Sequence, residues 1–506
     1  MPTSLALRIH ELTHTWNERS QKLAAFHNET NPDSAHKTIE KGQKFMSHII
    51  VIGGGAAGMM AALTAAEMNH AAGPATRVTL LEKNEKLGKK IYITGKGRCN
   101  FTNACDFNTF ISNVVTNPKF MYSSLRAFGP EDMIGFLEES GCPTKVERGN
   151  RAFPESDHAS DVTAALARRM KAAGVEVHLE TEVLEIRRLE DAANVNGAAS
   201  AHPGPRFQIS AKEHKSGRKH IYEADAVIIA TGGLSYPSTG STGDGYRFAA
   251  DFGLESKSCS AALVPLETKE EDYRELQGVS LKNVSVKMTG KEALGKEVSG
   301  KDASGKAASG KEKVLYDSEP GELLFTHFGL SGPLILTASS IAAGFITERK
   351  TDRNIKIFID LKPALTEEML DARILRDFEE ARNQNIENAL GKLLISSLRP
   401  VILRRAGIRA DKKVRDITKE ERAHLVQAIK HLDYTVTGTR GYNEAIVTHG
   451  GVAVSEINPK TMESRKVPGL YFAGEVLDVD AFTGGFNLQI AWSTGRAAGN
   501  AAGAAT

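Results

Sequence analysis

Gly53, Gly55 and Gly58 stand in the pattern G-x-G-x-x-G, between the apolar run "HIIVI" (48–52) and an Ala/Met/Leu-rich stretch that starts at 56. The chemistry open to such a pattern is the binding of a pyrophosphate. The first glycine permits a tight turn, the second lets a phosphate approach the backbone, and the third lets a helix pack close to a sheet. A helix that starts there offers free N–H groups and the positive end of its dipole. Glu82 closes the next apolar run, "RVTLLE" (77–82), and lies 24 residues after Gly58. An acid at that place can hold ribose hydroxyls, and its charge would repel a 2′-phosphate, which argues against NADP here.

Two further glycine-rich stretches follow apolar runs. One is "IIATGGLSYPSTGSTGDG" (228–245). The other begins with "LYFAGE" (470–475) and continues to "GGFNLQIAWSTGRAAG" (484–499), which reads as the opening of a second helix. A ligand that meets helix starts more than 400 residues apart in the chain must be long and carry two electron-rich parts. FAD has that form. Its ADP half suits the first helix, and the flavin O2 and N1, which gain negative charge on reduction, suit the second. Between the two lies "TGKGRCNFTN" (94–103), a glycine-rich basic turn. It does not follow a strand in P-loop spacing.

Candidates for proton transfer are His327, in "FTHFGLSGP", and Tyr236, in the loop after the 226–230 run. A structural histidine and a packed tyrosine are the competing readings. Cys99 stands beside Arg98, which could lower its pKa, but no second cysteine follows at CxxC spacing, so a packed thiol is preferred. No metal site is expected: the four cysteines (Cys99, Cys105, Cys142, Cys259) are irregularly spaced. Free thiols point to a reducing, cytoplasmic setting.

At 506 residues the chain needs more than one core. The order of apolar runs gives these expected parts: 1–45 an extension; 46–256 the first part of a nucleotide-binding domain; 257–363 an inserted β-barrel-like domain; 364–432 an inserted helical domain; 433–506 a return to the first domain. The fold class is α/β, an FAD/NAD(P)-binding Rossmann-like domain of the two-dinucleotide-binding type with a barrel and helical insert. Residues 290–313 form a pentad repeat rich in Gly, Lys and Ser, which fits a solvated loop. The formal charge of +2 argues against a nucleic-acid partner over a broad face. The most basic stretch, 398–425, has nine Lys/Arg against four Asp/Glu and no interleaved aromatics, so a solvated helical face is preferred there. No apolar run is long enough for a membrane helix. Nothing in the residues fixes an oligomeric state.

The set "GGGAAG", "GKGRCNFTN", "ATGG…STGDG", "GELLFTHFGLSGP" and "AGEVLDVDAFTGGFNLQIAWSTG" resembles the YhiN-like flavoproteins, also called BaiN-like NAD(P)/FAD-dependent oxidoreductases, over roughly residues 46–500. That resemblance implies non-covalent FAD. It implies that Gly55, Ala57, Glu82 and Lys83 hold the ADP half. Lys90, Arg98, Asn100 and Asn103 would lie along the pyrophosphate or flavin. The backbone of Val183 would meet adenine, and Thr231 and Gly232 would pass the diphosphate. Gly474 and Glu475 would meet the ribitol, and Asn487 and Leu488 the pyrimidine end of the flavin. The expected activity is hydride transfer through FAD to a small organic substrate, with NADH or NADPH as a transient donor. Reduction of C=C bonds is suggested by family analogy. The alternatives are a flavin-dependent oxidase of a small amine or carbonyl compound, and a flavin-containing RNA-modifying or RNA-binding protein.

Overall fold

The computed structural model describes residues 47–72, 76–189, 206–291, 312–346 and 355–506. The expected extension at 1–45 and nearly all of the pentad repeat lie outside the described residues.

Five apolar runs become strands: β1 (Ser47–Ile52), β2 (Thr76–Leu81), β3 (Glu176–His178), β4 (Ala226–Ile229) and β5 (Leu470–Phe472). They form one parallel sheet in the order β5-β4-β1-β2-β3. Their apolar residues run continuously rather than alternately, as befits a sheet covered on both faces. Ile49, Ile50, Val51, Val227 and Ile228 are fully buried. The strand order reverses between β1 and β4, and ligands of such sheets bind beyond the strand ends at that point. The fold class expected from the sequence is the one found.

Helix α1 (Ala56–Ala72) follows β1, and helix α2 (Phe486–Ala505) ends the chain. The two pack along a line of glycines spaced four apart. A Cβ on Gly495 would lie 2.3 Å from the Ala57 carbonyl oxygen, and one on Gly499 2.4 Å from that of Ala61. Only glycine permits this approach. It brings the last helix against the first, and so brings both helix starts to one side of the sheet.

The insert is a separate core. Strands Leu266–Thr268, Ser280–Lys291, Gly321–Thr326, Gly329–Ser331, Lys356–Asp360 and Leu432–Thr439 pair antiparallel, and Lys356–Asp360 pairs back onto Ser280–Lys291 to close a barrel. Closure removes exposed strand edges. Strand Glu312–Asp317 pairs beyond the barrel onto Ser280–Lys291. Helices Glu367–Glu380, Leu398–Arg405 and Lys419–Lys430 share their core with the barrel. The boundary expected at 433 falls inside the last barrel strand, so the barrel takes a strand from beyond the helical part. Strands Ser256–Ala262 and Val447–Val452 pair where the chain enters and leaves the insert. A three-stranded antiparallel sheet (Thr181–Arg188, Phe207–Glu213, Lys219–Ala224) also lies within the first part. Among the described residues no helix is long and apolar enough to cross a membrane.

Candidate active site

A cavity of about 930 Å³ opens at the C-terminal ends of β1, β4 and β5. It is near the upper end of the range for small-molecule sites. Gly53, Gly54 and Gly55 line one end, and Gly484, Gly485 and Asn487 line the other. Each end is therefore the start of a helix. The first N–H groups of a helix have no acceptor within it, and neither α1 nor α2 carries an acid in its first turn.

The three glycines of the first turn answer separate demands. Gly53 has φ +102°, and a Cβ there would lie 2.5 Å from the Ala230 carbonyl oxygen. A Cβ on Gly58 would lie 1.8 Å from the Gly53 carbonyl oxygen. A Cβ on Gly55 would meet no protein atom within 4 Å, so the space beside it is open for an occupant. Ala57 also lines the cavity. The buried Glu82 carboxylate accepts from the Gly54 N–H at 2.6 Å and from the Asn84 N–H and Nδ2 at 2.7 and 2.6 Å. It thus fixes the turn as well as lining the cavity. Val183 lines the wall nearby, on a strand tied to Glu82 by the Thr181 N–H. Lys83 also lines the cavity, but its ammonium is held by Asp244 at 2.6 Å and Thr242 at 2.5 Å.

On the cavity wall a hub forms around Glu475. Its carboxylate accepts from Lys90 Nζ at 2.6 Å, Ser235 Oγ at 2.5 Å and the Thr448 N–H at 2.9 Å. Lys90 Nζ also donates to Ser235 Oγ at 2.5 Å. The side chain expected at the ribitol is therefore engaged with protein. Gly474, also on the cavity wall, donates its N–H to Thr494 Oγ1 at 3.0 Å. Asn487 holds the backbone of Ala481 and Phe482 with its amide, so its side chain shapes the loop before α2. Leu488 lines the cavity beside it. Asn103 Nδ2 bridges the Gly149 and Gly484 carbonyls, each at 3.0 Å. Asn100 Oδ1 and Thr231 Oγ1 are buried with no partner, and both residues line the cavity. Gly232, next to Thr231, has φ +74°.

Several expectations are corrected. Arg98 lines the cavity, yet its guanidinium is taken by Glu147 and Asp157, which hold it well above its ordinary pKa. Its charge is already answered by protein. Tyr236 does not line the cavity; its N–H donates to the Tyr442 carbonyl, and burial raises its phenol pKa. His327 lies exposed beside Phe328, also off the cavity wall. Neither is placed to touch a ligand of this cavity. Cys99 is fully buried, and burial pushes its thiol far up, which fits the packed reading.

Sequence reasoning missed the apolar wall formed by Leu263, Pro333, Ile446, Val447 and Val479. It comes from four separate segments; Pro333 and Val479 lie within quoted motifs, but nothing local brings them beside Leu263, Ile446 and Val447. It also missed His449, whose Nδ1 lies 3.1 Å from Oδ1 of the fully buried Asp480. The Asp480 backbone oxygen accepts from the Val115 and Thr116 N–H groups, and Ser340 Oγ donates to its side chain at 3.3 Å. Asp480 was within a quoted motif, but its histidine partner lies 31 residues away.

The cavity fits FAD: two helix starts, an open place beside Gly55, and two orphaned polar atoms along the wall between them. A parallel nucleotide-binding sheet carrying this site defines a flavin-dependent oxidoreductase. The chain belongs to the HI0933-like protein Rossmann-domain family, whose model matches residues 47–501. It is 31% identical to a ribosomal RNA dihydrouridine synthase of Haemophilus influenzae, over 88% of this chain and 96% of that protein. It is 30% identical to the protein of that name in Escherichia coli, over 88% and 95%. It is 29% identical to a 3-dehydro-bile acid delta(4,6)-reductase of Clostridium scindens, over 90% and 99%.

Proposed function

We propose that the protein is an FAD-dependent reductase of C=C bonds conjugated to a carbonyl group. The observation that carries this reading is one cavity lined by both helix starts, by Lys90 and Glu475 of the hub, and by an apolar wall. The named relatives support the bond type. A 4,6-unsaturated 3-oxo steroid and the uracil ring both place a C=C next to a C=O. When bound, FAD would supply the hydride for the β-carbon of such an acceptor.

The chain's own part is to bind, orient and provide a proton. Gly55, Glu82 and the start of α1 hold the ADP half. The start of α2 answers negative charge at the flavin, and the apolar wall keeps water from the acceptor. Lys90 Nζ, bonded to both Glu475 and Ser235, holds a proton at the cavity for the α-carbon. NADH or NADPH is the proposed donor, bound transiently.

The test is an anaerobic titration. The flavin should be bleached by one reduced nicotinamide and should regain its colour with a conjugated enone but not with the saturated ketone. Bleaching by an amine, with no response to either nicotinamide, would favour the oxidase reading instead.

A further inference from the structure

Six cationic side chains line the cavity. Four are neutralised: Lys83 by Asp244, Lys89 by Glu85, Lys90 by Glu475, and Arg98 by Glu147 and Asp157. The other two, Lys96 and Arg151, are exposed at the rim and have no carboxylate partner among the described residues. Arg151 Nε donates only to the Arg148 carbonyl, at 3.1 Å.

Both cations are held by pinned backbone. Lys96 has φ +58° and the residue before Arg151, Asn150, also has φ +58°. A left-handed conformation at such residues persists where the surroundings fix it. Around Lys96 the Arg98 and Cys99 N–H groups donate to the Gly95 and Thr94 carbonyls. The Asn150 carbonyl accepts from the Ala104 N–H at 2.7 Å. Phe153 joins the two sides: its ring lies 6.0 Å from the Arg151 guanidinium, and a Cβ on Gly95 would be 3.6 Å from it. The Asn103 bridge from Gly149 to Gly484 sets the Arg151 side of this rim beside the start of α2.

We propose that Lys96 and Arg151 form a subsite for an oxyanion carried by the substrate, a carboxylate or a phosphate, so that the reducible bond is delivered to the cavity by an anionic handle. Two unanswered cations on a rim otherwise neutralised by the protein's own acids leave charge for a ligand. Arginine and lysine together suit either oxyanion. The proposal rests on the reductase reading above.

The test compares charged and neutral members of two probe pairs on the holoenzyme. One pair is 3-oxo-4-cholenoate and its methyl ester; the other is hexauridylate and uridine. Dissociation constants are measured on the oxidised protein, and kcat/KM where turnover occurs. For the pair that matches the natural handle, wild type should prefer the charged member, and K96Q or R151Q should each lower that preference about tenfold at low salt. A steroid-pair effect assigns a carboxylate, and a uridine-pair effect a phosphate. Equal losses on both members, no change in either pair, or loss of flavin from either variant would overturn the proposal, the last by assigning the cations to the cofactor. If no probe is turned over, the reductase reading fails, while the dissociation constants still decide whether the oxyanion subsite exists.

Discussion

Gly55 and Gly58 stand three residues apart and should respond to the same substitution in opposite ways. Gly58→Ala forces a Cβ against a backbone carbonyl, so it should cost at least ~3 kcal/mol of stability. Gly55→Ala meets no protein atom, so stability should move by no more than ~0.5 kcal/mol while flavin content falls. Thermal unfolding and the flavin-to-protein ratio separate the two. Glu82→Ala leaves the buried Gly54 N–H without an acceptor, which costs ~1–3 kcal/mol, and should also release flavin. Unchanged flavin affinity would remove Glu82 from the cofactor site. The Asp480 hydrogen bond, with Asp478 nearby, holds His449 above its ordinary pKa of 6.5. A raised folded pKa gives stability that is full below the unfolded value and lost as pH rises through the folded one. The unfolding midpoint should therefore fall less for His449→Gln than for wild type as pH rises above the ordinary histidine pKa of 6.5. At this scale the glycines and Glu82 were legible because they sit at fixed spacings within one β-α-β unit. Lys90, Glu475 and Ser235 form their hub across three distant segments, and no local spacing announces that.

At the scale of elements, the contact between α1 and α2 brings the two ends of the chain together. Gly499→Val should separate the helices, lowering the unfolding midpoint and releasing flavin, because its Cβ meets the Ala61 carbonyl. Ala504→Val, at an exposed position near the end of the same helix, should do neither. Recovery of normal flavin content in Gly499→Val would contradict the role given to this contact. The strands of the parallel sheet were legible as continuous apolar runs ending in glycines. The sheet with Phe207–Glu213 was less so, because each strand buries few residues and the third is mostly exposed. The loops with Tyr236 and His327 were read as facing the ligand because they follow the right elements. Their side chains turn elsewhere, which chain order does not reveal.

At the scale of the whole molecule, part of the basic stretch at 398–425 fastens the insert. Arg404 and Arg405 pair with Asp272, Arg404 also with Glu275, Lys412 with Glu421 and Arg422 with Asp371. A charge count over 398–425 registers Arg404, Arg405 and Arg422 but not Asp272, Glu275 and Asp371, which face them from other segments. The parallel domain and its insert were legible; the exact join was not, because the last barrel strand crosses back after the helices. The cavity is proposed to direct hydride to a C=C conjugated to a carbonyl. A single anaerobic turnover of the reduced holoenzyme with 3-oxo-4-cholenoate, with the product identified by mass and NMR, tests it most directly. The expected product is the saturated 3-oxo acid, with the C=C lost and the C=O kept. An allylic alcohol, or recovery of the enone unchanged, together with unreacted uridine in a parallel turnover of hexauridylate, would contradict it.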